Sequence, residues 1–236
     1  MDLSIVIPTL NEATYIVKTV DEIYKKRSGQ LSMEIILIDA GSADQTVSKV
    51  KDKVDIILED DGLRGAKFKS LNKGGELAKG DAILFLDADS LVPPNFDLNI
   101  RDGLKKTEIL GGAFEFQMDG NGLIYRIIEW INRIRYRIDH KYFGDQGIFC
   151  TKKVFSQLNG YPEQPIMEAA YFCRKLRGQG KLVLLHSCLL TSSRRFQRGN
   201  VLRVLLLDTW IWIQFSLGLS IRRYARSYWL ENEQRS

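Results

Sequence analysis

The chain has 236 residues, 44% of them hydrophobic and 27% charged, with a formal net charge of +5. A chain of that length and apolar content can bury an ordinary core, so a chain too polar to fold is excluded. Three scattered cysteines, Cys150, Cys173 and Cys188, show no metal-ligand spacing and leave an odd thiol, which argues against a disulfide framework and for a reducing compartment.

The first half alternates strand and helix signals. No basic n-region or cleavage site precedes Leu3-Ser4-Ile5-Val6-Ile7, so no signal peptide is expected. Ile5-Val6-Ile7 reads as a strand stopped by Pro8. Glu12 to Tyr24 has Ile16, Val20 and Ile23 at helical spacing. Met33 to Ile38 is a second strand ending at Asp39. The turn Gly41-Ser42-Ala43-Asp44 follows, with Asp44 placed to cap a short helix from Gln45 to Lys51. Val54 to Leu58 is a third strand, Phe68 to Ala78 a helix, and Ala82 to Leu86 a fourth strand. Strands separated by helices of this length form βαβ units, hence an α/β fold with a parallel sheet.

The second half reads differently. Gly111 to Phe116 suits a strand. Leu123 to Ile138 is an amphipathic helix, with Leu123, Ile124, Ile127, Ile128, Ile131, Ile134 and Ile138 on one face. Ile148 to Cys150 and Lys181 to Leu185 read as strands, Lys152 to Leu158 and Glu168 to Leu176 as helices. Val201 to Leu219 approaches membrane-span length but contains Arg203, Asp208 and Gln214. A charge costs about 2.5–3.5 kcal/mol at a bilayer centre on insertion scales, which argues against a span. With Trp210 and Trp212, the segment suits a helix lying at a membrane interface, a core helix or a dimer contact. Basic residues gather late, as Arg133-Arg135-Arg137-Lys141, Arg194-Arg195-Arg198 and Arg222-Arg223-Arg226; such groups meet phosphates or anionic lipid, or form a solvated helix face. No nucleic-acid recognition motif accompanies them, so no nucleic acid is expected. The whole reads as one domain, with a nucleotide-binding half over 1–110, an acceptor half over 111–195 and a helical appendage over 196–236.

Asp87-Ala88-Asp89 closes the apolar run Ala82–Leu86, where open α/β sheets bind ligands. Paired carboxylates there suit a hard divalent cation, Mn²⁺ or Mg²⁺, bridging phosphates; the plainer reading is an acidic turn. The other strand ends are polar too: Pro8-Thr9-Leu10-Asn11-Glu12 after the first and Asp39 to Asp44 after the second. In a parallel sheet all three ends share one edge. Turn formation explains each of them separately but not all three together. In Gly62 to Gly74, Arg64 and Lys67 can neutralise a diphosphate, while neither a P-loop nor a dinucleotide fingerprint is present. Arg194 and Arg195 can clamp phosphate bidentately, with Arg195 taken as the inward one. His186 reads as a partly buried structural imidazole, or a third metal ligand.

Together these segments resemble the inverting family-2 glycosyltransferases of GT-A fold. The resemblance rests on Ile5 to Glu12, Asp39 to Ser42, Asn72 to Asp81 and Phe85 to Asp89, and continues through Gly111 to Phe114, Gly144-Asp145-Gln146-Gly147, Gly160-Tyr161-Pro162 and Thr191 to Arg195. The later motifs look most like a small bacterial subgroup associated with radical-SAM and arsenosugar biosynthesis genes. The resemblance implies a GT-A, Rossmann-like, mostly parallel sheet flanked by helices. It implies transfer of a sugar from a nucleotide-diphosphate donor, UDP-linked, to a hydroxyl-bearing small-molecule or lipid-linked acceptor, with Mn²⁺ or Mg²⁺. Asp39 would read the nucleobase, and Pro8, Thr9 and Glu12 would line the nucleoside pocket. Asn11, Ser42, Arg64, Lys67, Asn72 and Arg195 would complete the donor set. Asp87 would lie near ribose and sugar and, with Asp89, hold the metal. The cysteine usage suits a cytoplasmic location, and the Val201 to Leu219 segment leaves peripheral contact at the inner face of the membrane or a homodimer as options.

One departure stands out. The family's base is the Asp of a Glu-Asp pair opening a helix, and here Glu168 is followed by Ala169. Glu168 or Asp145 would then be the base, or the chain binds nucleotide sugar with little or no transfer.

Overall fold

The computed structural model describes residues 1–120, 122–139, 142–194 and 201–225. Its strands are β1 Leu3–Thr9, β2 Met33–Asp39, β3 Ile56–Glu59, β4 Ala82–Phe85, β5 Ser90–Leu91, β6 Ile109–Met118, β7 Ile148–Thr151 and β8 Lys181–Thr191. Its helices are α1 Ile16–Lys26, α2 Lys67–Leu77, α3 Phe96–Gly103, α4 Leu123–Asp139, α5 Lys152–Gln157, α6 Glu168–Arg177 and α7 Val201–Ser216.

The strands form one sheet in the order β3-β2-β1-β4-β7-β6-β8-β5. β3, β2, β1 and β4 run parallel, as does β6 with β8, whereas β7 is antiparallel to β4 and β6, and β5 to β8. Successive strand residues point to opposite faces. Val6, Ile36, Ile38, Ile83 and Phe85 accordingly enter one apolar core, and Ile5, Ile7, Ile35, Leu37 and Leu84 the other. Strands covered on both faces must be apolar at nearly every position, which is why these runs are legible in the sequence.

Four features depart from the sequence expectations. Residues 46–53 form successive turns in place of a helix over 45–51. Asp44 accepts from Thr46 N at 2.9 Å within the turn, with no helix to cap, and its other oxygen accepts from Ala13 N at 3.0 Å. The segment is thereby tied to the loop after β1, and a helix that short has little of its own to sustain it. The helix expected from Glu12 begins at Ile16. β5 and α3 were not anticipated: β5 has two residues, and α3 buries only Phe96, Asp97 and Ile100. β6 and β8 also run further than expected, to Met118 and Thr191.

Helix α2 lies on the sheet because Gly74 lets it. A Cβ at Gly74 would fall 2.2 Å from Val6 Cγ1, and one at Gly75 would fall 2.2 Å from Phe155 Cζ. Gly74→Ala therefore sets a helix-propensity gain of up to about 1 kcal/mol against overpacking of about 1–3 kcal/mol. The expected outcome is a lower urea midpoint with an unchanged m-value; an unchanged or raised midpoint would show that α2 can shift away from β1.

Candidate active site

Register fixes the site. Thr9 pairs with Asp39, and Val6 with Phe85, so the segments following β1, β2 and β4 leave the sheet at the same edge. They border a cavity of about 920 Å³. Pro8, Thr9, Asn11, Glu12, Arg64, Lys67, Asp87, Asp89, Asp145 and Glu168 all line it. Asp39, Ser42 and Asn72 do not stand among its lining residues. Arg195 lies outside the described residues, and Arg194 lines the cavity.

Asp39 is a brace. It is buried and accepts from Thr9 Oγ1 at 2.8 Å, Ser42 Oγ at 2.6 Å, Ser42 N at 2.7 Å and Gly41 N at 3.1 Å. Both carboxylate oxygens are thus engaged within the loop. Gly41 has φ +81°, and a Cβ there would lie 2.9 Å from Asp61 Cβ, so the turn needs glycine. Ser42 Oγ also receives the Asn11 N–H at 2.8 Å, locking the two loops together. Asn72 clamps another loop, donating to Tyr161 O at 3.0 Å and accepting from Tyr161 N at 2.7 Å.

Two cations organise the carboxylates. Lys67 Nζ, on the first turn of α2, lies 2.6 Å from Asp87 Oδ1 and 4.0 Å from Glu168 Oε1. Arg194 donates to both Glu12 oxygens, at 2.7 and 2.6 Å, and its Nε lies 3.1 Å from Asp89 Oδ2. Its guanidinium also sits over the Tyr15 ring, 4.8 Å from the centroid. Burial pushes the Asp89 carboxyl up to about 7; Arg194 opposes this, while Asp87 and Glu12 add to it. Burial also raises Glu168, with Lys67 opposing and Asp87 reinforcing. For Arg194 burial acts downward, but Glu12 and Asp89 outweigh it and hold the guanidinium well above its ordinary value.

The remaining loops are held from behind. Gln146 is buried, donates to Phe114 O at 3.1 Å and accepts from Phe143 N at 3.0 Å, which fixes the turn carrying Asp145. Ser193 N donates to Asp119 Oδ1 at 2.7 Å beside Arg194. Glu168 opens α6, where the helix N-terminus favours a carboxylate. His186 is not partly buried and does not line the cavity: it is 93% exposed, 3.4 Å from Glu115, where the β6–β8 register shifts.

Among the described residues no group of three or more His, Cys, Asp or Glu side chains could hold a metal alone. Mg²⁺ and Mn²⁺ sites of phosphate-handling proteins commonly use one or two carboxylates, with substrate phosphates supplying the rest, and Asp87 with Asp89 fits that pattern. Among the described residues, Glu12, Asp87, Asp89, Asp145, Glu168 and Asp208 line the cavity together with Arg64, Lys67 and Arg194.

A mostly parallel α/β sheet with its acidic and basic side chains gathered beyond the parallel strand ends defines a GT-A-like fold. The chain belongs to glycosyl transferase family 2, whose model matches residues 4–156. Among curated relatives, an uncharacterized glycosyltransferase of Mycoplasma genitalium is 32% identical over 99 residues, covering 39% of this chain and 33% of its own length. Glycosyltransferase GlyG of Streptococcus pneumoniae is 27% identical over 134 residues, covering 52% and 43%. The chain thus spans less than half the length of either relative. Among solved structures, S. aureus TarS superposes with a TM-score of 0.65 at 17% identity, covering 82% of this chain and 37% of TarS. The mannosyltransferase PcManGT of Pyrobaculum calidifontis, in complex with GDP-Man and Mn²⁺, gives 0.63 at 17%, covering 80% and 56%.

Removing Arg194 would leave Glu12 and Asp89, whose side chains are 15% and 12% exposed, facing each other without their shared cation. Breaking a fully buried pair costs about 3–5 kcal/mol. Arg194 is itself partly exposed, so Arg194→Ala is expected to lose about 1–3 kcal/mol in chemical denaturation. Arg194→Lys should recover only part of this, because an ammonium cannot offer the same fork. Full recovery by lysine would mean that charge alone, without the bidentate geometry, holds the loops.

Proposed function

We propose that this chain is an inverting glycosyltransferase that moves a sugar from a UDP-linked donor to a hydroxyl acceptor. The observation that carries this reading is Glu168: a buried carboxyl, raised by burial, in the same cavity as Asp87 and Asp89 and 4.0 Å from Lys67 Nζ. TarS has been crystallised with UDP and with UDP-GlcNAc, and PcManGT with GDP-Man and Mn²⁺, which supports a nucleotide-sugar donor.

Pro8, Thr9, Asn11 and Glu12 are the side of the cavity for the nucleoside, behind which Asp39 and Ser42 hold the loops in shape. Asp87 and Asp89 would hold Mn²⁺ or Mg²⁺, which when bound neutralises charge on the diphosphate. Arg64, Lys67 and Arg194 add fixed positive charge along the path of the departing diphosphate. Glu168 takes the acceptor hydroxyl's proton. The hydroxyl oxygen bonds to the anomeric carbon from the face opposite the diphosphate. The bond from that carbon to the diphosphate oxygen breaks, its electron pair leaving with the nucleoside diphosphate. A single displacement inverts the centre. Asp145 is the second candidate base.

Ala169 favours a competing reading, a nucleotide-sugar-binding protein with little transferase activity. A Cβ placed on Gly144 would lie 4.0 Å from Ala169 Cβ, 3.9 Å from Asp87 Oδ2 and 3.5 Å from Lys67 Nζ, so a methyl group stands where a second carboxylate could reach the site. Turnover separates the readings. Calorimetry should show UDP with Mn²⁺ binding best among nucleoside diphosphates, with Asp89→Ala abolishing the metal dependence. Glu168→Gln should lower kcat by about 10²–10⁴ while leaving the UDP affinity unchanged. Wild-type protein that binds UDP but neither transfers nor hydrolyses any UDP- or GDP-sugar would give the case to the binding protein.

A pH profile tests the base independently. Glu168 must be ionised to accept a proton, so the rate should rise with pH through its folded-state value, which burial holds above the ordinary 4.5. Lys67 pulls that value down, so Lys67→Met should move the acid limb to higher pH. An acid limb that stays in place in Lys67→Met would assign the proton to another group.

A further inference from the structure

Helix α4 does not bury the apolar face its sequence carries. Leu123 is 77% exposed, Trp130 62% and Ile131 51%, and Ile124, Ile127 and Ile134 are exposed with them. On α7 Leu206 is 63% exposed and Trp210 52%, with Leu217 beyond the helix at 70%. Leu206, Trp210, Ile213 and Leu217 follow helical spacing, so they too form one strip. The α4 strip reaches the cavity, and on α7 a neighbouring face of the same helix lines the cavity. Ile131 and Ile134 line it from α4, and Leu205 and Trp212 from α7, so the space beside Asp87 and Glu168 continues between the two helices.

Exposed apolar area on this scale marks an interaction face, and its charges select the partner. Arg133 of α4 and Arg222 and Arg223 after α7 are exposed. A second copy in a two-fold dimer would bring the same patch, and hence the same cations, against itself. An anionic bilayer meets both features, taking tryptophan and leucine at its interface and attracting arginine at its headgroups. Among the described residues no helix is long and apolar enough to cross a membrane, which leaves surface contact for these helices.

We propose that the α4–α7 face docks on an anionic lipid bilayer and sets the mouth of the cavity against it. The consequence rests on the function proposed above: the acceptor is a membrane amphiphile whose hydroxyl enters between α4 and α7 while its chain stays in the apolar part of the cavity.

Flotation of the full chain with vesicles tests the docking. Phosphatidylcholine vesicles containing roughly one part in four of phosphatidylglycerol should carry the protein, and phosphatidylcholine alone should carry much less, with added salt weakening the former. Trp130→Ser with Leu206→Ser changes two exposed side chains, so folding is expected to persist by circular dichroism. The double variant should bind the anionic vesicles at least about tenfold more weakly. Quenching of tryptophan fluorescence by brominated acyl chains should be seen in the wild type and fall in the variant. Absence of wild-type binding to anionic vesicles at low salt would overturn the proposal. So would sedimentation as a dimer that the double variant abolishes, since a second copy would then cover the face. Calorimetry of UDP with Mn²⁺ on the same proteins keeps the two readings apart. Docking without UDP binding sinks the transferase and leaves the surface, whereas UDP binding without docking sinks only the surface.

Discussion

Two cations, Lys67 and Arg194, hold four carboxylates in one cavity, and the arrangement of the site depends on that. Asp87 and Glu168 face Lys67, whereas Glu12 and Asp89 face Arg194. The residues come from β1's loop, β4's loop, the start of α2, the start of α6 and the segment after β8. A backbone ladder, Ser90 with Thr191, ties only β4's loop to the segment after β8. Ionic contacts in a partly dry space join the rest, and there the Coulomb attraction is several times its value in water. The cost is desolvation, visible in Asp89 and Glu168, both raised by burial. A site of this kind is poised: its carboxylates are held near each other under mutual repulsion, and a bound cation would relieve it.

The sheet was legible because its centre is buried on both faces. β1, β2 and β4 were visible as apolar runs, and their polar ends followed from where those runs stopped. From the parallel reading alone, Thr9, Asp39 and Asp87 had to lie at one edge. What the sequence could not reveal was which polar residues face the cavity and which hold the loops. Asp39 and Asp87 look alike in sequence, each the first carboxylate after a strand. Asp39 spends its oxygens on Thr9, Gly41 and Ser42, and Asp87 faces Lys67 across the cavity. A single intervening glycine makes the difference: it lets the Gly41–Ser42 turn fold its N–H groups back onto Asp39.

Arg194 illustrates a second limit. Adjacent arginines carry no label for which points inward; Arg194 meets Glu12, and Arg195 lies outside the described residues. The deciding partner, Glu12, is 182 positions away in sequence, so no local pattern identifies it. Short elements were lost for a related reason. β5 exists because Ser90 and Leu91 find Thr191 and Leu190 from the far end of the sheet. The segment over 45–51 fails to become a helix because Asp44 and Thr46 bond to the loop after β1. In each case a long-range bond overrides or creates local structure.

The amphipathic helix α4 shows the converse. Its period was unmistakable, and the structure has the helix where the period put it. Periodicity reports that a face is apolar, not that the chain supplies its cover. Of the six residues on that face whose side chains are described, only Ile128 is buried in the protein's own core. The sheet side of α4 instead uses Tyr136 and Glu129, the latter accepting from Met118 N at 2.7 Å and pairing with Arg126 at 2.8 Å. The helix is therefore anchored by a polar contact and by its neighbours in the small cluster of Phe116, Met118 and Ile128. Among the described residues, the exposed Leu123, Ile124, Ile127, Trp130, Ile131 and Ile134 make up its larger apolar face. A helix anchored this way can carry exposed leucine and isoleucine without loss of its place in the fold, which is the condition a docking face has to meet.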